Sequence, residues 1–293
     1  MKSLNEGCFV LPVFFIVFLF FTPAVAANLI VVGDTRLKPV VEIISGIKET
    51  IKIPVKAYLP SDVKGRLMSV AAQDEARVVI ALGREAIGEA FQLPSSIAVI
   101  YGLVVTPPPA GRPNTTGFYM GTPVKEYTAL IRDYLHSIRR IAVIGSRDML
   151  NILEGVNDPQ IASYIVNTPY EFVSTMNRID SVDAILILPD AALLTATAME
   201  EAYLISFKKR IPLIGLSGKQ VREGALFALV FDPVNVGRNI AEKASNAFSG
   251  TDMGKIRPSP PNKFELYINI DTARKMDISI PDELAKKAKK IYP

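Results

Sequence analysis

Six short stretches carry the residues best suited to chemistry: Gly33-Asp34-Thr35-Arg36, Gly83-Arg84-Glu85, Gly102, Gly145-Ser146-Arg147, Pro189-Asp190 and Ser217-Gly218-Lys219. Each follows an apolar run, and five of the six place glycine near a polar or charged residue. Glycine permits a tight turn into a helix, whose amino end attracts anions. Asp, Ser and Thr offer hydrogen bonds to a ligand, and Arg pairs with a carboxylate in a bidentate way. The other reading stays open at each position: small residues after strands make short loops, and arginines form surface ion pairs.

Catalytic constellations are harder to assemble. His136 is the only histidine, so neither a two-histidine metal set nor a Ser-His-Asp triad can be built. Gly83 and Gly88 have the spacing of a phosphate loop, but Glu89-Ala90 follow where Lys and Ser/Thr are needed. No G-x-G-x-x-G follows the first apolar run, so a dinucleotide lacks its turn. Asp34, Asp190 and Asp232 supply carboxylates for a glycosidase-type pair. The preferred reading makes them hydrogen-bond acceptors for a ligand. Asn114-Thr115-Thr116 fits a glycosylation sequon.

The elements that position these residues alternate in type. Strands are expected at Leu29–Val32, Val55–Leu59, Val78–Leu82 and Ile97–Ile100. Helices are expected over Leu37–Ile51, Asp62–Glu75 and Glu85–Phe91, the first repeating apolar residues at helical spacing. A loop rich in proline, Thr106–Asn114, then breaks the rhythm. The pattern restarts with a helix over Val124–Leu135 and strands at Ile141–Ile144 and near Tyr164–Val166. A helix near Phe172–Ile179, a strand at Ala184–Leu188, a helix over Leu193–Phe207 and a strand at Pro212–Leu216 follow. The chain ends with a helix over Val234–Phe248, a proline-rich loop Lys255–Asn262, a strand Phe264–Asn269 and a basic helix from Asp282, with Lys286-Lys287 and Lys289-Lys290 on its solvated face. Continuous β-branched runs indicate strands covered on both faces. Strand–helix alternation argues an α/β fold with parallel sheets. Two series split by the proline loop predict two Rossmann-like lobes.

The first residues predict export. Lys2 precedes an apolar run from Cys8 to Phe21, and Ala24-Val25-Ala26 supplies an A-x-A exit. The run is short of the roughly 20 residues of a membrane span, so cleavage after Ala26 is preferred to an uncleaved anchor. Cys8, the only cysteine, lies in the segment removed, which leaves no disulfide or thiolate chemistry. Ala26 and Ala27 stand where a lipoprotein carries its cysteine, so no lipid anchor is expected. The net charge of +4 is spread along the chain, and no basic run alternates with aromatics, which makes nucleic acid a poor partner.

The stretch from Ala184 to the end resembles the ABC-transporter substrate-binding family that includes tryptophan- and tyrosine-type periplasmic binders. The residues in order are Val182-Asp183-Ala184-Ile185 with Pro189-Asp190, Ile211–Gly215, Val221–Leu226, Asp232-Pro233 with Val236-Gly237-Arg238, Phe264–Asn269, Thr272-Ala273 and Ile280-Pro281. Upstream, Asn114–Gly117 looks like the family's N-x-T-G loop, and Ala81-Leu82-Gly83 like its second ligand loop. Two departures mark a diverged member. Val32-Gly33-Asp34-Thr35 stands where the family has a segment ending in His-Pro, and Ser146–Asn167 looks shortened.

The resemblance implies a type I periplasmic-binding-protein fold: two lobes joined by a hinge, with residues 28–118 and 233–254 in one, and 119–232 and 255–293 in the other. It implies a periplasmic solute-binding component of an import system that docks on membrane permease subunits and performs no catalysis. A sensory module on the same fold and a secreted α/β enzyme are the alternatives. No cofactor or metal is expected, and a monomer is. Ligands in open parallel sheets bind beyond the carboxyl ends of the strands. The expected contacts are therefore Asp34, Thr35, Gly83, Arg84, Ser146, Arg147, Asp190 and Ser217, with Asp232 at a crossing between lobes. Asp190 also matches the family's Asp at that place, and its other role is capping the following helix through Ala191 and Ala192.

Overall fold

The computed structural model describes residues 28–109, 111–152 and 158–293. The expected leader, its exit at Ala26 and Cys8 lie outside the described residues. The unbroken apolar runs become strands covered on both faces. In β1 (Asn28–Gly33), Leu29 and Val31 pack into one cluster while Ile30 and Val32 pack into another on the opposite face. The first parallel sheet adds β2 (Val55–Tyr58), β3 (Ala76–Leu82), β4 (Ala98–Val104) and β5 (Thr115–Tyr119), in the order β2-β1-β3-β4-β5. Its helices are α1 (Lys38–Thr50), α2 (Pro60–Val63), α3 (Leu67–Gln73) and α4 (Arg84–Ala90).

The second lobe opens with α5 (Val124–Tyr134) and holds β6 (Ile141–Gly145), α6 (Arg147–Ile152), β7 (Ile161–Ile165), α7 (Pro169–Arg178) and β8 (Ala184–Ile187). It continues with α8 (Ala196–Lys209), β9 (Leu213–Gly215), α9 (Gly218–Glu223) and β10 (Phe227–Phe231). Next, α10 (Pro233–Phe248) returns to the first sheet and lies along α1. The chain then completes the second sheet with β11 (Phe264–Asn269), α11 (Ile270–Lys275), α12 (Asp282–Lys287) and β12 (Ala288–Tyr292). The order is β12-β11-β10-β9-β8-β6-β7, and β11 runs antiparallel to β10. This is an α/β fold of two lobes with largely parallel sheets.

Four details depart from the reading of the sequence. The helix expected over Asp62–Glu75 breaks into α2 and α3 around Gly65, whose φ of +66° an α-helix does not use. Thr115–Gly117, read as a loop, are the start of β5. Phe227–Phe231, not read as a strand, is β10. The final helix stops at Lys287, and Lys289 and Lys290 lie on β12. There Tyr292 stacks on Tyr267, with ring centroids 6.5 Å apart, and Lys289 pairs with Glu265 at 3.1 Å. These cross-strand contacts outweigh helix propensity over five residues.

Among the described residues no helix joins β4 to β5. The proline-rich connection is tied instead by Arg112, which donates to the carbonyls of Pro94 and Ile97, both at 2.7 Å, and to Thr115 Oγ1 at 2.8 Å. Asn114 donates to the Ser95 carbonyl and accepts from the Met253 N–H, so both ends of the sequon amide are engaged.

Three passages link the two sheets, at 120–123, at Asp232 and at 256–263. They are bonded to one another. Phe118 bridges Ser259, the Thr122 hydroxyl donates to the Leu229 carbonyl at 3.2 Å, and the Asp232 N–H donates to the Lys263 carbonyl at 3.3 Å.

The middle passage is held from the first lobe by an unusually close helix pair. A Cβ built on Gly237 of α10 would sit 2.1 Å from the Ile43 carbonyl oxygen of α1, and one built on Gly46 would sit 2.1 Å from the Val234 carbonyl oxygen. The clashing atoms are backbone, so no rotamer relieves them. Gly237→Ala and Gly46→Ala are each expected to destabilise the protein by about 1–3 kcal/mol, the usual cost of overpacking. A Cβ at Gly88 of α4 meets open space, so Gly88→Ala is expected to be neutral or stabilising by up to about 1 kcal/mol from helix propensity. Denaturant unfolding of the three variants checks the contrast.

Candidate functional site

Topology decides which strand ends face each other. The chain leaves the first sheet from the carboxyl end of β5 and leaves the second from the carboxyl end of β10. Within each lobe the parallel strands point the same way, so the carboxyl ends of both sets open on the space between the lobes. In a doubly wound sheet the crevice forms where strand order reverses. In the first lobe that point lies between β1 and β3, and in the second between β6 and β8.

The two crevices are built alike. A Cβ on Gly33, which ends β1, would lie 3.1 Å from Cβ of Leu82, which ends β3. A Cβ on Gly145, which ends β6, would lie 2.7 Å from Cδ1 of Leu188, just past β8. In each lobe a glycine is thus packed against a leucine across the switch point. Just past these strands stand Asp34, Thr35 and Gly83 in loops and Arg84 at the start of α4 in the first lobe, and Ser146 and Asp190 in loops and Arg147 at the start of α6 in the second.

The polar groups are not equally available. Asp34 grips Arg36 in a bidentate pair, with Nε to Oδ1 and Nη2 to Oδ2 both at 2.8 Å, and its Oδ1 also accepts from the Arg36 N–H at 3.1 Å. The hydrogen bonds from Arg36 hold the Asp34 carboxyl below the usual carboxylate range, which is the opposite of what a general acid needs. Thr35 and Arg36 are exposed. Gly83 takes φ +95°, donates to the Gly102 carbonyl at 2.9 Å, and starts α4. Arg84 is exposed and lines a cavity of about 410 Å³ under Pro107-Pro108-Pro109. Leu103, in the same cavity, has φ +56°, a strained value for a branched side chain. Nothing in its residue type announces that.

In the second lobe, the Ser146 carbonyl accepts from Leu150 at 3.0 Å, and Arg147 is exposed. Asp190 Oδ1 accepts from the Ala192 N–H at 3.1 Å, and its carbonyl accepts from Leu193 and Leu194, so it closes a turn rather than capping the following helix; α8 begins only at Ala196 and its cap is Thr195. Ser217 and Asp232 sit one and two strands beyond the switch point. Each caps a helix: Ser217 Oγ accepts from Gln220 at 3.2 Å, and Asp232 Oδ1 accepts from Asn235 at 3.1 Å. Asp232, expected only at a crossing, also follows the end of parallel strand β10. Tyr127, which the sequence did not single out, is fully enclosed, with its hydroxyl 3.4 Å from the carbonyl oxygens of Gly215 and Leu229. Burial pushes its ionisation far above the usual tyrosine range. Among the described residues there is no group of three or more His, Cys, Asp or Glu able to hold a metal ion.

Asp190 offers a direct test of its two roles. Asn accepts from a backbone N–H about as well as Asp, so Asp190→Asn is expected to keep stability within about 0.5 kcal/mol, whereas Asp190→Ala costs about 1 kcal/mol. Calorimetric binding to the Asn variant separates the roles. Weakened binding at unchanged stability assigns the second oxygen to the ligand, and unchanged affinity leaves the turn alone.

Several solved structures share this arrangement. The ligand-free, open structure of CD0873, a substrate binding protein with adhesive properties from Clostridium difficile, superposes with a TM-score of 0.65 at 14% identity, covering 91% of this chain and 99% of that one. A conserved domain protein from Vibrio cholerae gives 0.57 at 17% identity, over 91% and 99% of the two chains. The ABC domain in complex with L-Trp from Streptococcus pneumonia gives 0.56 at 15%, over 90% and 99%. These likenesses establish the type I periplasmic-binding-protein fold. No curated protein matches the chain. Residues 109–292, well over half of the sequence, match the family described as ABC transporter substrate binding protein, and the chain belongs to that family.

Proposed function

We propose that this protein is the periplasmic solute-binding component of an ABC-type import system, which closes two lobes over a small amino-acid-like or carboxylated ligand and does not turn it over. The observation that carries the reading is the pair of matching switch points, Gly33/Leu82 and Gly145/Leu188, each bordered by polar loops and each opening toward the other lobe. Residues 28–118 with 233–254 make one lobe, and 119–232 with 255–293 the other. The packing of α10 on α1 and the pairing of β11 with β10 support this division. The three bonded passages act as the hinge about which the lobes close, a familiar kind of domain motion.

The sequence of the first 26 residues supports export and removal of a leader, with no lipid attachment. Among the described residues no helix is long and apolar enough to cross a membrane. The partners are then the solute and the permease subunits, and the receptor works as a monomer.

A solute that binds only the folded state stabilises it by mass action, by about 2.7 kcal/mol at a hundredfold excess over Kd. In a thermal-shift screen of amino acids, organic acids and sugars, one solute class is expected to raise the melting temperature by roughly 5–10 °C, since each kcal/mol moves a domain of this size by about 2–4 °C. No shift from any class, together with turnover in a panel of hydrolase substrates, would contradict the receptor reading.

A further inference from the structure

We propose that Arg36 is the residue through which the first lobe grasps a carboxylate on the solute, and that Asp34 is its positioning residue rather than a ligand contact. The inference rests on the receptor reading above and narrows its ligand to an acid.

Place is the first reason. Arg36 stands in the loop after β1, on one side of the first lobe's switch point, and Arg84 opens α4 just past the end of β3, on the other. Gly33 pairs with Leu82 in the sheet, so the two loops leave it side by side. Glu85 is close enough to Arg36 to act on its charge. In the second lobe Arg147 opens α6 two residues past the end of β6, so each lobe carries a guanidinium group just beyond a switch-point strand.

Geometry is the second. Two charge-assisted bonds of 2.8 Å fix the Arg36 fork through Nε and Nη2. The side chain remains 81% exposed while that of Asp34 is 27% exposed. Nη1 and the second hydrogen of Nη2 take no part in that pair, and the pair sets their orientation. A guanidinium held this way loses less freedom on meeting a second carboxylate than a free one does.

The fold itself has little use for the fork. An exposed ion pair contributes little to stability. The turn is closed without the guanidinium: the Leu37 N–H donates to the Asp34 carbonyl at 3.0 Å, and the Arg36 N–H donates to the Asp34 side-chain Oδ1 at 3.1 Å. With its carboxylate occupied by Arg36 on both oxygens, Asp34 is poorly placed to receive a ligand amine.

The test uses matched acids and amides: L-tryptophan and L-tryptophanamide, L-leucine and L-leucinamide, succinate and succinamide, with D-ribose and myo-inositol as uncharged controls. At least one acid is expected to raise the melting temperature while its amide does not. Calorimetry with that acid is expected to show Arg36→Gln weakening binding at least tenfold, and Arg36→Lys restoring it only in part. Asp34→Asn should weaken binding several-fold in the wild type and have no effect in the Arg36→Gln background, a dependence that a purely structural role would not produce. Melting temperatures without solute show that each variant folds. Binding of the acid unaffected by Arg36→Gln overturns the assignment of Arg36, and an effect of Asp34→Asn that persists in that background overturns the positioning role. If an uncharged control shifts the melting temperature and no acid does, the acid inference falls and the receptor reading stands. If no solute in this panel shifts it, the acid inference falls, and the receptor reading is decided by the wider screen and the hydrolase panel above.

Discussion

Two helices in backbone contact set the path of this chain. Gly46 of α1 and Gly237 of α10 each lie against a carbonyl of the other helix, with no room for a Cβ on either side. Because α10 begins one residue after β10 ends, this contact fixes where the second sheet is left and the first is rejoined. The Asp232 cap and the Asp232–Lys263 backbone bond then set the start of α10 beside the final passage. The proposed closure would then fall on the few residues of the three passages.

The same economy appears at the two crevices. Each lobe ends its first strand on glycine and packs that glycine against a leucine from the strand across the switch point. This brings two loop starts within reach of one another without a side chain between them. The residues that follow differ between the lobes. The first lobe has an acid–base pair and a second arginine; the second has a serine, an arginine and an aspartate that closes a turn. Similar backbones thus present different chemistry in the two lobes.

Much of this was legible in the sequence, because its signals were local. Unalternating runs such as Leu29–Val32 and Ile141–Ile144 can only be strands covered on both faces, and they predicted the doubly wound lobes. The strand-end rule expected Asp34, Arg84, Ser146, Arg147 and Asp190 just past the ends of parallel strands, and they stand there. What the sequence hid depends on partners distant in the chain. β5 and β10 are short segments whose identity comes from neighbouring strands. β12 is a lysine-rich tail that becomes a strand because Tyr267 and Glu265 are there to receive it. The engagement of Asp34 with Arg36, and the capping roles of Ser217 and Asp232, were equally hidden. A composition that reads as a binding loop does not tell which side chain the protein keeps for itself.

Closure of the lobes around a solute is the central claim, and a distance across the cleft tests it most directly. The only natural cysteine lies in the expected leader, so spin labels can be placed through Met68→Cys and Tyr170→Cys, at residues 63% and 82% exposed in the first and second lobes. A second pair, Leu37→Cys and Met68→Cys, reports on the first lobe alone. With a stabilising solute at saturation, the account predicts a shorter distance across the cleft and an unchanged distance within the lobe. An unchanged distance across the cleft, with the solute demonstrably bound, would contradict it.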